Sequence, residues 1–458
     1  MTIQLPVYNE PNVVSRLLEA AANLHYPGAL DIQLLDDSTD ETTAIAVVKI
    51  DELRRRGIRV SHVRRQNREG FKAGALAAGM SLNESELFLI FDADFVPSSS
   101  LLMDLVPRFA DAGVGMVQAR WAHLNRHTSL LTRVQSIYLD AHFAVESAAR
   151  FRGGRFFNFN GTAGMWRRRA IEDAGGWSAS TLTEDLDLSY RAQLAGWRFE
   201  FLADVTVPSE LPASLSGFQD QQHRWAKGSI QTARKILPQL FKRNLTGEVR
   251  TESFFHLTNN CSYLLTLVLA LLFVPAVLIR EKYGLSWTFA ADATLFFCST
   301  VSVLRFYIEG QRRVGNGTPS FATMLPVIPL GIGISVRNTA AVLEGLTQRG
   351  GFFQRTPKSG SALRARLEKA PRIPWTELML AGYFAVSVCV FVSTGNLLPV
   401  PFLLLFFSGF AAVSALGMSE WSASETRSFP GIIAQLRRLF PPAADESLTT
   451  RAPSLGQQ

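Results

Sequence analysis

Two carboxylates one residue apart, Asp92 and Asp94, directly follow the apolar residues 87–91. Such a pair at a strand end can share one hard cation. Mg²⁺ takes oxygen ligands and commonly uses only one or two from protein, with phosphate and water completing the shell. A polar turn after a core strand gives the same pattern, since short acidic pairs are common. The rest of the sequence decides between these two interpretations.

A second acidic group lies in residues 181–190, which read TLTEDLDLSY. Thr183 is predicted to cap a helix, and an acid in the first turn of a helix interacts favourably with the helix dipole. Capping explains one such acid. It does not explain Glu184, Asp185 and Asp187, which fall within four residues beside apolar leucines.

A small polar loop at residues 158–164 contains Asn160, Gly161 and Thr162. Glycine in such a loop permits close approach of the backbone to a ligand. An ordinary glycine turn is an equal alternative when the loop is considered alone.

The predicted amphipathic helix 218–240 carries Gln221, Arg224 and Trp225. Arginine makes bidentate contacts with phosphate, and tryptophan offers a flat apolar face on which a sugar ring can stack. A basic helix lying on a membrane surface gives the same pattern, and the two interpretations are compatible.

Short apolar strands must position these residues. Strands are predicted at residues 2–7, 31–35, 58–63, 87–91 and 114–119, and helices at residues 41–56, 71–82 and 129–149. This alternation indicates βαβ units and a parallel sheet. Polar clusters follow the first four strands: Tyr8-Asn9-Glu10, Asp36-Asp37, residues 64–72, and Asp92 with Asp94. Because ligands bind at the carboxyl ends of strands in such sheets, four converging clusters favour the metal interpretation.

Beyond residue 258 the composition changes from that of a soluble α/β domain to long apolar stretches. Those at 261–279, 287–307, 378–393 and 397–416 are near the roughly 20 residues that a bilayer crossing needs. The formal net charge is +7, but the excess of basic over acidic residues concentrates in loops between these stretches, as the positive-inside rule describes. Contact with a membrane surface explains the charge better than nucleic acid does.

A fifth apolar stretch, residues 321–346, is predicted not to cross. The following segment, 347–374, holds seven basic residues and one acid, so it should be cytoplasmic, like the loop after the second crossing. The segments before and after 321–346 can both be cytoplasmic only if 321–346 is interfacial or re-entrant. The charged residue Arg337 within this stretch favours the same interpretation. We therefore expect a catalytic domain at 1–242 that includes the interface helix 218–240. A membrane domain with about four crossings should follow at 258–420, and a partly disordered cytoplasmic tail at 421–458.

Together these residues resemble the family 2 glycosyltransferases, specifically the processive, membrane-embedded cellulose synthase-like branch. The family's ordered motifs D, D-x-D, T-E-D and Q-x-x-R-W are matched by Asp36-Asp37, Asp92-Ala93-Asp94, Thr183-Glu184-Asp185 and Gln221-x-x-Arg224-Trp225. The gating loop F-x-V-T-x-K has a partial match in Phe353, Thr356 and Lys358, with Arg355 in place of the valine. The match covers about residues 2–360. It looks closest to glucan and mannan synthases of the cellulose synthase-like A and C type and their bacterial relatives.

The resemblance implies a GT-A-type nucleotide-sugar-binding domain with a mostly parallel sheet, followed by an α-helical transmembrane domain. It implies nucleotide and donor binding by Tyr8, Glu10, Asp36 or Asp37, Lys72, Asp92 and Arg224. A Mg²⁺ or Mn²⁺ ion would be held by Asp94 with Asp92 nearby, and Asp185 would be the general base, with Glu184 beside it. Acceptor binding would fall to Asn160, Gly161, Thr162, Gln221 and Trp225.

The function implied is inverting transfer of a hexose from UDP-glucose or GDP-mannose onto a growing β-glycan, which would pass through the membrane domain. A cation and Arg224 neutralise charge on the leaving diphosphate, and a carboxylate takes the proton of the sugar hydroxyl. One alternative is transfer of a single sugar to a membrane lipid such as diacylglycerol, ceramide or a polyprenyl phosphate. Another is a catalytically silent scaffold, which the intact set of acids disfavours.

The expected partners are a nucleotide sugar, a glycan or lipid acceptor, the bilayer and accessory or export subunits, and not nucleic acid. We expect an integral protein of a bacterial inner membrane with its catalytic domain in the cytoplasm. Relatives in the family carry one or two membrane helices before the catalytic domain, and none precedes Thr2 in this sequence. The natural start is therefore expected to lie upstream, or the chain to be a fragment.

Overall fold

A seven-stranded sheet organises the amino-terminal half of the chain in the computed structural model, which describes residues 1–348, 350–351 and 372–439. The strands are β1 (Thr2–Val7), β2 (Asp31–Asp36), β3 (Val60–Arg64), β4 (Leu87–Ile90), β5 (Val114–His123), β6 (Gly164–Arg167) and β7 (Arg198–Ser209). Their order is β3-β2-β1-β4-β6-β5-β7. β6 is antiparallel to its neighbours, and the other pairs are parallel. The predicted mostly parallel sheet is confirmed.

Helices flank the sheet and continue into the carboxyl-terminal half. Those up to residue 258 are α1 (Val14–Ala22), α2 (Thr42–Arg55), α3 (Phe71–Ser81), α4 (Leu101–Leu105), α5 (Leu130–Ala141), α6 (Ala148–Arg152), α7 (Arg168–Asp173), α8 (Glu184–Leu194), α9 (Leu215–Lys242) and α10 (Gly247–Thr258). The later ones are α11 (Cys261–Lys282), α12 (Phe289–Arg313), α13 (Phe321–Met324), α14 (Val327–Gly333), α15 (Ser335–Thr347), α16 (Trp375–Ser393) and α17 (Val400–Leu439). A π-helix, His142–Ser147, joins α5 to α6.

Apolar periodicity builds the core around β1 and α1. Ile3 and Leu5 alternate along β1 and are fully buried, and they share one cluster with Leu17 and Leu18 of α1. β1 coincides with its predicted bounds, and β2, β3 and β4 differ from theirs by one or two residues. β6 and β7 were not predicted, and the helix expected at 129–149 is interrupted by the π-helix.

Among the residues that the structure describes, four helices are long and apolar enough to cross a membrane: α11, α12, α16 and the Val400–Ala423 part of α17. They correspond to the four apolar stretches identified from the sequence. The segments Phe321–Gly333 and Ser335–Thr347 pass the same criteria only together, and they are bent by 44° at the break between them. That geometry is either a broken span or a re-entrant segment.

Polar contacts dock α9 against the carboxyl-terminal helices. Lys227 pairs with Glu344 of α15 at 2.8 Å, and Arg337 of the same helix pairs with Asp220. At the start of α9, the Glu420 carboxylate of α17 accepts the backbone N–H of Ser216 at 3.1 Å. The charge in the middle of the fifth apolar stretch, Arg337, is therefore used to hold the helix that carries Gln221, Arg224 and Trp225.

Candidate active site

A pocket opens at the carboxyl ends of β1, β2 and β4. Its lining contains most of the residues singled out from the sequence: Tyr8, Glu10, Asp37, Lys72, Asp92, Asp94, Asn160, Gly161, Glu184, Asp185, Gln221, Arg224 and Trp225. Asp36 and Thr162 do not line it and are fully buried behind it. Phe353, Thr356 and Lys358 of the gating-loop match lie outside the described residues.

Lys72 ties the end of β4 to the glycine-containing loop. Its Nζ donates to Asp92 Oδ1 at 2.5 Å and to the Gly161 carbonyl at 2.8 Å. Thr162 supports this contact from behind, because its Oγ1 accepts the Asp92 backbone N–H at 2.9 Å. Burial lowers the pKa of Lys72, but Asp92 and Glu184 outweigh burial, and the net pKa is above the usual value. Lys72 is therefore a fixed positive charge in the pocket.

Asp94 lies in the pocket at only 1% exposure. Its Oδ2 accepts the Glu210 backbone N–H at 3.0 Å, which fixes the carboxylate. Asp92 and Asp94 offer the oxygen donors that Mg²⁺ and Mn²⁺ prefer. In the described ranges, no group of three or more His, Cys, Asp or Glu side chains could hold a metal ion. The pair therefore fits a cation held jointly with phosphates of a ligand, and not a cation enclosed by protein alone.

Glu184 and Asp185 enter the pocket from the first turn of α8. Burial raises the pKa of Asp185 to about 7, and the neighbouring Glu184 carboxylate adds to this rise. Burial also raises the pKa of Glu184, although Lys72 opposes the effect. A carboxyl group with a pKa near neutrality is suited to act as a general base.

The third acid of that stretch, Asp187, has a structural role. Its side chain is fully buried, and it pairs with Arg191 at 2.8 Å and with Lys235 of α9 at 2.7 Å. Thr183 does not make the predicted capping hydrogen bond. Its Oγ1 instead lies 3.2 Å from Thr232 Oγ1 of α9. These contacts join the start of α8 to α9.

Two glycines allow the parts of the pocket to approach closely. A Cβ on Gly161, whose φ is +82°, would lie 2.9 Å from Asp185 Oδ2. A Cβ on Gly228 of α9 would lie 2.5 Å from Thr183 Cγ2 and 2.9 Å from the Thr183 nitrogen. A side chain at either position would displace its neighbours. The glycines therefore allow the loop and α9 to pack closely against the start of α8.

Arg224 brings a second cation to the acids. Burial lowers the pKa of its guanidinium, while Glu184 and Asp92 act in the opposite direction. An arginine remains charged under these conditions because its ordinary pKa is above about 12. Arg224 and Lys72 together make the pocket suited to a polyanionic ligand such as a diphosphate.

The end of the pocket near β1 carries an aromatic ring and guanidinium groups. The Arg68 guanidinium carbon lies 3.3 Å from the centroid of the Tyr8 ring. Arg65 makes a bidentate contact with Asp37, at 3.0 Å and 2.5 Å. Of the two adjacent acids considered from the sequence, Asp37 is the one at the pocket.

Asp36 braces the sheet behind the pocket. Hydrogen bonds from His62, Ser38 and Thr43 reach its carboxylate at 2.9, 2.9 and 2.8 Å. Burial alone would raise the pKa of Asp36, but these hydrogen bonds lower it to about 2. The Asp36 carboxylate therefore makes its hydrogen bonds within the protein, and only 1% of the residue is exposed.

The structure also brings residues to the pocket that the sequence did not single out. Arg68 lines the pocket. The only indication of this in the sequence was that Arg68 belongs to the polar segment 64–72, which follows a predicted strand. Trp121 of β5 lines an apolar wall with Phe95 and Leu139, and the Trp121 and Phe95 rings are 5.3 Å apart in an edge-on arrangement. No local pattern marks Trp121, because it reaches the pocket only through the pairing of distant strands.

Comparison with known proteins places these features in a family. Residues 1–228 match the family model described as "Glycosyltransferase like family 2". A probable glucomannan 4-beta-mannosyltransferase from Oryza sativa subsp. japonica is 34% identical over 418 residues, which cover 86% of this chain and 77% of that protein. One from Arabidopsis thaliana is 33% identical over 419 residues, 86% of this chain and 73% of that protein. A solved mannosyltransferase from Pyrobaculum calidifontis, in complex with GDP-Man and Mn²⁺, is similar with a TM-score of 0.49 and 17% identity, covering 76% of this chain and 86% of that one.

Proposed function

This chain belongs to the family 2 glycosyltransferases, and we propose that it moves mannose or glucose from a nucleotide sugar onto a growing β-glycan. The observation that carries the proposal is the pocket itself. It places Asp185, whose pKa is raised to about 7, in one pocket with the carboxylates Asp92 and Asp94 and the cation Arg224. The glucomannan mannosyltransferases similar over most of this chain favour a glycan acceptor over a membrane lipid.

The donor would bind along the carboxyl ends of β1, β2 and β4. Tyr8 and Arg68 offer flat surfaces for the nucleoside base, and Asp37 lies beside them. Lys72 and Arg224 would bind the diphosphate, with Asp92 and Asp94 holding Mg²⁺ or Mn²⁺. When bound, such a cation supplies charge neutralisation for the departing nucleoside diphosphate.

Asp185 would act on the acceptor. Its carboxylate takes the proton of the attacking sugar hydroxyl while the hydroxyl oxygen bonds to C1 of the donor sugar and the bond from C1 to the diphosphate breaks. Attack from the face opposite the leaving group inverts C1, so an α-linked donor gives a β-linkage. Gly161 permits this approach, because a side chain at that position would meet Asp185 Oδ2.

Transfer from a panel of labelled donors tests the proposed function. Membranes containing the chain are supplied with UDP-glucose, UDP-GlcNAc, GDP-mannose or GDP-glucose, and label is counted separately in polymer and in lipid extracts. We expect label from a glucose or mannose donor in alkali-insoluble or ethanol-precipitable glycan. Label confined to the lipid extract would contradict the glycan acceptor.

The pKa of Asp185 predicts a pH dependence. A base must be deprotonated, so activity should be present above pH 7 and fall as the pH drops below about 7, where Asp185 becomes protonated. Glu184→Gln removes a negative charge that raises this pKa, so the acid limb should move to lower pH. The measurement is kcat/KM across pH, with Glu84→Gln, an exposed position outside the pocket lining, as control. An acid limb that stays in place in Glu184→Gln would contradict the assignment.

Gly228→Ala tests the contact between α9 and α8. The added methyl would overlap Thr183, so α9 and the first turn of α8, which carries Asp185, must move apart. Misplacement by about 1 Å can cost roughly 100-fold in rate, and we expect a loss of that order in kcat. Gly247→Ala, where nothing lies within 4 Å of the new Cβ, should keep the wild-type rate. Equal rates for the two variants would contradict a positioning role for this contact.

The catalytic domain is proposed to face the cytoplasm, with four crossings and a re-entrant segment formed by α13, α14 and α15. A reporter fused after Gly350 should then behave as cytoplasmic. Signal from the opposite side of the membrane would mean that the bent pair of segments is a fifth crossing.

A further inference from the structure

A line of three polar side chains leads from the π-helix to the pocket wall. Asn160 Nδ2 lies 3.2 Å from His142 Nε2, and His142 Nδ1 lies 2.9 Å from Glu146 Oε2. His142 and Glu146 are four residues apart within His142–Ser147. Single turns of π-helix occur frequently at functional sites. Asn160 itself lines the pocket beside Gly161.

The hydrogen bonds determine which ring nitrogen of His142 carries the proton. An amide NH₂ group can only donate, so His142 Nε2 accepts from Asn160. The neutral imidazole then carries its proton on Nδ1, where it donates to the Glu146 carboxylate. Glu146 is held in turn by Arg150, at 3.7 Å, and Arg150 donates to Glu252 at 2.8 Å.

This arrangement determines which end of the Asn160 amide faces His142. The nitrogen is used by the imidazole, and the Asn160 backbone N–H donates to Gln118 Oε1 at 3.0 Å. Among the described residues, Asn160 Oδ1 has no hydrogen-bond partner. The amide is therefore presented with a fixed polarity, its oxygen available as an acceptor.

We infer that His142 is a positioning residue, which together with Glu146 holds Asn160 so that its Oδ1 accepts a hydrogen bond from a hydroxyl of the acceptor sugar. The inference rests on the proposed function, because it assumes that the pocket receives a sugar acceptor. His142 does not line the pocket and acts only through Asn160. A hydroxyl is the matching partner, since it can donate to an amide oxygen.

Two substitutions of His142 separate its two hydrogen bonds. In His142→Gln the side-chain amide reaches the position of Nε2, so an oxygen can still accept from Asn160. In His142→Asn the amide reaches only the position of Nδ1, so it can donate to Glu146 but does not reach Asn160. Both replacements are polar and smaller than histidine, and melting temperatures of the purified variants show whether either disturbs folding.

The experiment measures transfer from the donor found active in the labelled panel onto a β-1,4-linked mannohexaose or cellohexaose primer. We expect His142→Asn to raise the KM for the primer or lower kcat/KM by about fivefold to tenfold, the size of one neutral hydrogen bond. The KM for the donor should not change. His142→Gln should retain most of the wild-type primer kinetics. In an Asn160→Ala background, His142→Asn should have no further effect, because the residues act through one contact.

Each result has a distinct meaning. Equal primer kinetics in His142→Asn and His142→Gln, or additive losses with Asn160→Ala, would overturn the positioning role while leaving the proposed function intact. A wild-type chain that transfers label from no donor would overturn the proposed function and this inference with it.

Discussion

Asp185→Asn is expected to abolish glycosyl transfer while leaving donor binding in place. The amide has almost the same shape as the carboxylate but cannot take the proton of the acceptor hydroxyl. General base catalysis contributes roughly 10²–10⁴-fold, so kcat should fall by at least that range. Donor affinity, measured by titration calorimetry with Mg²⁺ or Mn²⁺ present, should stay near the wild-type value or increase slightly, because Asp185 adds negative charge to a site for a polyanion.

Asp51→Asn provides a matched control, since Asp51 is exposed on α2 and pairs with Arg54 only at 3.7 Å. Its kinetics should equal those of the wild type. Near-normal turnover in Asp185→Asn would show that Asp185 is not the base. Loss of donor binding in parallel with turnover would instead assign Asp185 to the donor.

Removal of the Asp94 carboxylate is expected to eliminate metal-dependent donor binding. Loss of an outer-shell partner of a metal site already costs about 10–100-fold in affinity, and loss of a direct ligand should cost at least as much. Asp94 also accepts the Glu210 backbone N–H. Asp94→Ala removes both interactions, whereas Asp94→Asn keeps an oxygen that can accept this hydrogen bond and removes only the charge.

The pair of variants distinguishes the two roles of Asp94. If the carboxylate binds the cation, both should lose donor affinity in saturating Mg²⁺ or Mn²⁺, and a chelator should reduce wild-type affinity to a similar level. Asp104→Ala, at an exposed position of α4 outside the pocket lining, should have no effect. Wild-type affinity in Asp94→Asn would show that the residue only supports the backbone.

The sequence predicted those parts of the fold in which local pattern and burial agree. β1 is a short strand whose apolar residues Ile3, Leu5 and Val7 alternate in sequence and are all buried, so its bounds could be predicted. β6 is only four residues long and follows directly after the polar loop, and its register against β4 and β5 depends on segments far away in the chain. Nothing within Gly164–Arg167 alone indicates an antiparallel strand in a parallel sheet.

In the candidate site, too, features set by local sequence could be predicted, and contacts between distant segments could not. Acids and basic residues that follow strands could be placed at one sheet edge, because strand direction fixes where they lie. The choice between Asp36 and Asp37 depends on His62, Ser38 and Thr43, which surround Asp36 only after the sheet has formed. Arg68 on the Tyr8 ring and His142 behind Asn160 are likewise contacts between distant segments. Such contacts have no periodic signature in the sequence.

In the proposed reaction, Asp185 deprotonates a glycan hydroxyl while C1 of the donor sugar inverts. The most direct test supplies the active α-linked donor with ¹³C at C1 and determines the anomeric configuration of the new linkage by the one-bond carbon–hydrogen coupling. We expect β-linked sugar in a polymeric product from the wild type, and at least about 100-fold slower formation of that product by Asp185→Asn. An α-linkage, or β-linked polymer made at the wild-type rate by Asp185→Asn, would refute this mechanism.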